Sequence, residues 1–108
     1  MPQITLLCEK FGYTLEHLSL SEKRLLRLIL VNNVTAQSMY KPCSLLASLL
    51  VVEKIIDQIT SKYPNNKDSV FVAIEILEGI DIDTTEGLIE ILTRLIKVEL
   101  IATADNLI

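Results

Sequence analysis

The chain has 108 residues, a formal net charge of −4 and 50% apolar residues. That length suits a single domain, residues 1–108, with a core of its own. The acidic balance disfavours binding to a phosphate backbone, and five Phe and Tyr with no Trp leave little to stack on bases or sugars.

Two cysteines make no disulfide framework, so Cys8 and Cys43 are expected as reduced thiols in a cytoplasmic protein. The start, MPQITLLCEK, has neither the basic stretch nor the long apolar run of a secretory leader. The longest run of apolar and small residues, Cys43 to Val52, falls short of the ~20 that cross a bilayer.

In chain order, Pro2 to Phe11 reads as a short helix with Ile4, Leu7, Cys8 and Phe11 on one face and Gly12 as its stop. Tyr13 to Leu18 connects. Ser19 and Glu22 have the spacing of a capping box; with Ser21 as the cap, Leu20 and Leu25 would instead form a hydrophobic staple. Either choice starts a helix near residue 20, with Lys23, Arg24 and Arg27 as its polar strip and an interruption expected at Asn32–Asn33.

Pro42 to Tyr63 reads as the central helix. Leu45, Leu49, Val52, Ile56, Ile59 and Tyr63 follow the 4-3-4-3-4 spacing of a packed seam. Its first half is apolar on nearly every side, which calls for cover from several directions. Pro42 suits a first helical turn, and Tyr63-Pro64-Asn65-Asn66 closes the segment as a loop.

Asp68 to Glu78 reads as a buried helix ended by Gly79, with a strand over residues 69–77 as the alternative that its β-branched content also fits. Asp83 and Glu86 then mark the start of a last helix. Its apolar face is Leu88, Ile91, Leu92, Leu95, Ile96 and Val98, and its polar strip Glu90, Thr93, Arg94 and Lys97. At ~100° per residue Glu99 falls in the middle of the apolar arc. An end near Val98 with a loose or extended tail is the expected outcome, a buried carboxylate paired with Lys or Arg the alternative. The whole reads as an all-α bundle of four main helices and a short N-terminal one.

The chemistry is sparse. His17 stands alone, and Cys8, His17 and Cys43 share no ligand spacing. Residues 81–92 begin like a calcium loop with Asp81, Asp83 and Thr85. Glu86 and Leu92, however, stand where Gly and Glu are needed. Gly12, Gly79 and Gly87 are isolated, so there is no phosphate-cradling loop; Gly87 would allow close packing or an anion near exposed N–H groups, which Asp83 and Glu86 oppose. No catalytic, cofactor or metal residue is assigned, and the expected class is non-enzymatic.

Leu, Ile and Val together number 40, more than a 12-kDa core calls for, so part of the excess is expected to meet another molecule. The leading expectation is a protein-interaction module that forms a homodimer through Leu45, Leu49, Val52, Ile56 and Ile59. Residues 1–66 carry seven Lys/Arg and five Asp/Glu, residues 67–108 three and nine. Contacts between Lys23, Arg24 and Arg27 and an acidic strip of Glu75, Glu78, Asp81, Asp83, Glu86 and Glu90 would orient such an association. Two other readings compete. The cadence of residues 86–108 resembles a recognition helix running into a short strand, as in winged-helix nucleic-acid binders. A core opening to an apolar ligand would be lined by Leu49, Val52 and Ile56.

Overall fold

A computed structural model describes residues 2–39, 44–59 and 68–107, with side chains for 3–39, 44–55 and 68–101. It contains five helices: α1 (Pro2–Phe11), α2 (Leu20–Met39), α3 (Leu45–Ile59), α4 (Asp68–Leu77) and α5 (Ile82–Leu107). There is no strand among the described residues, so 69–77 takes the helical alternative: the β-branched side chains of α4 are accommodated because Val70, Ala73, Ile74 and Leu77 form one buried stripe. No helix among the described residues is long and apolar enough to cross a membrane.

The centre is α2, not α3 as the sequence suggested. Helix α2 packs against α3, α4 and α5; α3 also meets α4, and α1 rests on α4. Leu26, Ile29 and Leu30 on α2 are wholly buried, joined by Leu25. The interruption expected at Asn32–Asn33 is absent. Asn33 is buried, donates from Nδ2 to the Ser48 hydroxyl of α3 at 3.3 Å, and accepts from Gln37 Nε2 at 2.5 Å. An amide occupied in this way does not compete with the helix backbone.

Three helix starts, those of α2, α3 and α5, each have their own solution for the orphan N–H groups of the first turn. For α2 it is the Ser19–Glu22 box: Ser19 N–H donates to Glu22 Oε1 at 2.8 Å, and Glu22 N–H to Ser19 Oγ at 3.1 Å. Helix α3 begins at Leu45 with Ser44 as cap, its hydroxyl accepting from Ala47 N–H at 3.1 Å; Pro42 and Cys43 lie outside the described residues. Helix α5 begins after Asp81, two residues ahead of the Asp83–Glu86 start read from sequence. Asp81 Oδ1 accepts from Thr84 N–H at 2.6 Å, and its carbonyl from Thr85 N–H and Oγ1 at 3.0 and 2.7 Å. Asp83 is left exposed in the first turn, where a negative charge favours the helix dipole.

Between α1 and α2 the chain turns sharply. Gly12 (φ 92°) takes the left-handed conformation that ends α1, its N–H bonded to Cys8 C=O at 2.7 Å. Leu15, buried, is held at φ 52°. The Glu16 carboxylate folds back over Gly12, where a Cβ would overlap it, and accepts from Thr14 N–H and Oγ1 at 3.1 and 2.7 Å.

Helix α5 does not stop near Val98. It continues to Leu107, which removes the extended tail and the short strand that a winged-helix cadence needs. The chain forms a slab of 47 × 36 × 23 Å, its thinnest dimension about two helix diameters.

Gly87 on α5 has open space where a Cβ would point, so the sequence-based idea of close packing there is not realised. Gly87→Ala is therefore expected to raise stability by about 0.5–1 kcal/mol through helix propensity, read from urea denaturation. Hydrogen bonds from Thr14 hold the Glu16 carboxyl below its ordinary value, and those from Thr84 do the same for Asp81. Groups with lowered folded-state values stabilise fully above their unfolded values and lose that contribution as pH falls through the folded ones. Thermal stability is thus expected to drop on acidification below the ordinary carboxylate range. Thr14→Val together with Asp81→Asn should flatten that drop.

Candidate functional site

The residues singled out from sequence divide into those the fold uses internally and those it leaves outside. The seam Leu45, Leu49 and Val52 is buried in the common core with α2 and α4 residues, so these three are not an interface between copies. The reason is that α3 needs this face to reach α2 and α4. The same packing places Leu49 and Val52 against protein atoms. The side chains of Ile56 and Ile59 and all of Tyr63 lie outside the described residues.

The basic strip is likewise divided. Lys23 is 5% exposed, and its ammonium donates to Glu99 Oε2 of α5 at 3.2 Å. Arg27, half-buried, reaches Thr93 Oγ1 at 3.5 Å; Arg24 is exposed. On the acidic side, Glu78 closes the start of α3, accepting from Leu45 N–H at 2.7 Å and Leu46 N–H at 3.4 Å. Asp81 caps α5, and Glu90 pairs with Arg94 on its own helix at 3.0 Å. Glu75, Asp83 and Glu86 are exposed. Within the chain the two strips do not meet among the described residues: Lys23 instead finds Glu99, so of the two sequence readings of Glu99 the pairing with a cation holds and the helix end does not. In this pair the lysine is the buried member and the Glu99 side chain remains 39% exposed. Glu22 is also buried; its Oε1 completes the capping box and its Oε2 has no hydrogen-bond partner.

Two concavities accompany these contacts. A cleft of about 420 Å³ lies where α2, α3 and α4 end or begin, lined by Asn33, Gln37, Ser44, Leu45, Glu78 and Ile80 among others. A shallower groove between α1 and α4 is lined by Leu6, Glu9, Lys10 and Ile76. Among the described residues no group of three or more His, Cys, Asp or Glu is arranged to hold a metal ion. His17 is exposed in the α1–α2 turn, and Cys8 is half-buried.

What remains outside is apolar. Leu46, Leu50, Val51 and Ile55 of α3 are each 42–52% exposed. On α5, Ile91 and Val98, read from sequence as core, are exposed, as are Leu100 and Ile101; α2 adds Leu28, Val31 and Met39. Sequence periodicity found most of the inward-facing residues, because a seam repeats; it misplaced Ile91 and Val98 and could not show that the opposite face of α3 would stay uncovered.

The fold and surface define the chain as an all-α bundle with apolar side chains on its outer helix faces. In comparisons with known proteins, no family model, no curated protein and no solved structure matches it.

Truncating one member of the Lys23–Glu99 pair should be worse than replacing the other by an apolar residue. Glu99→Ala leaves a buried ammonium without its carboxylate and is expected to cost about 1–3 kcal/mol. Lys23→Met removes charge and demand together and should cost less than half as much. Denaturation midpoints of the two variants check the order.

Proposed function

We propose that this protein is a non-enzymatic protein-interaction module of the cytoplasm that associates with copies of itself through exposed apolar helix surface. The observation that carries the reading is the outward side of α3: four large aliphatic side chains, Leu46, Leu50, Val51 and Ile55, stand about half in water on a single helix. Isolated exposed leucines are ordinary on any surface, but a grouped apolar face on one element marks a place where another molecule sits.

The charge distribution supports the same class. Lys23, Arg27, Glu78, Asp81 and Glu90 are engaged within the chain, so apolar contact rather than charge would drive the association. On α5, Glu86 and Glu90 stand beside Arg94 and Lys97, a mixed surface poorly suited to a phosphate backbone.

Light scattering on a concentration series is the test. A mass rising from 12.1 kDa toward twice that value is expected as concentration increases into the micromolar range. A 12.1-kDa particle throughout, up to millimolar concentration, removes self-association.

A further inference from the structure

We infer that α3 pairs with α3 of a second copy, antiparallel, about a two-fold axis passing between Leu50 and Val51. This rests on the self-association reading and specifies the contact.

Helix α3 packs on α2 and α4 through Leu45, Ser48, Leu49 and Val52, and meets no other described helix. Its outward residues are Leu46, Ala47, Leu50, Val51, Lys54 and Ile55. At ~100° per residue, Leu46 and Leu50 lie along one edge of the outward stripe, Val51 and Ile55 along the other, and Ala47 and Lys54 on the midline. A two-fold contact requires a patch complementary to itself after reversal, and this one is. Reversed about a point between Leu50 and Val51, Leu50 meets its own copy on one edge and Val51 its own copy on the other. Ile55 lies over the small Ala47 of the second copy. The alkyl stem of Lys54 lies along Leu46 of the second copy and carries its ammonium out to water. The two Lys54 side chains end up on opposite sides of the two-fold axis, about 10 Å apart along the helices.

The area is adequate for a weak dimer. The four aliphatic side chains present on the order of 300 Å² of apolar surface, comparable with the largest patch on an ordinary monomer. A standard interface takes about 800 Å² from each partner, a little over half of it apolar. The stripe therefore supplies most of the apolar share, consistent with dissociation in the micromolar range rather than below it. The α5 surface is the weaker candidate, because Arg94 and Lys97 stand exposed among Ile91, Val98 and Ile101.

Disulfide trapping tests the geometry. In the full chain with Cys8→Ser and Cys43→Ser, Leu50→Cys and Val51→Cys are each expected to give a covalent dimer on mild oxidation, as is the double variant Ala47→Cys with Ile55→Cys. Leu46→Cys alone is not, since its two copies would sit about 13 Å apart along the helices, beyond disulfide reach. Leu50→Asp, at a half-exposed position, should keep the circular dichroism spectrum and weaken dimerisation at least tenfold. Dimers by light scattering that cross-link through Val98→Cys and not through Leu50→Cys or Val51→Cys overturn this pairing while leaving self-association intact. A monomer at every concentration overturns both.

Discussion

Leu26, Ile29 and Leu30 lose all contact with water because three other helices close over one stretch of α2. Burying each such side chain contributes about 1.5–3 kcal/mol. The seam of α3, the stripe Val70–Leu77 of α4 and Leu88, Leu92 and Ile96 of α5 are all directed inward by that requirement. The polar residues of α2 are placed by it too. Lys23 and Asn33 sit at the margins of the same face, and each is tied to a different neighbour, Lys23 to α5 and Asn33 to α3. These two links are directional where apolar packing is not, so they help fix which way α3 and α5 lie against α2.

Covering one helix with three others gives a thin body, 23 Å across its shortest dimension. In a two-layer slab every helix has an outward side, and the ratio of surface to core is high. A sequence with as much Leu, Ile and Val as this one cannot place all of it inward. The surplus is spread over α2, α3 and α5, and on α3 it falls on a stretch that carries no charge between Ser44 and Val52. The feature that makes α3 a good core element also makes it a poor solvent-facing one, and the proposed function follows from that conflict.

The ends of the helices are where local and tertiary signals part. Ser19–Glu22 and Asp81 work within a few residues of their own helices, and the capping residue types are visible in the chain. Glu78 does not: it closes the start of α3 from thirty-odd residues away, and nothing in the spacing of its neighbours announces that role. The same holds in part for Glu99. Its place in an apolar arc was evident, and so was its need for a helix end or a cationic partner, but that the partner is Lys23, 76 positions earlier, is set by the packing.

By itself, the sequence pointed to a mostly helical bundle and to most of the inward-facing residues, because amphipathic period and capping chemistry are local and repeat within one helix; residues 69–77 fitted a strand as well, and the packed stripe of α4 settled them as helix. Only the tertiary structure decided that α2 is the centre, that α5 runs on through Glu99, and that Asn33 leaves α2 unbroken, since each depends on a partner distant in the chain. It also decided which apolar residues stay in water. Periodicity states how many faces of a helix are apolar; the number of neighbours available to cover them is a property of the packed whole.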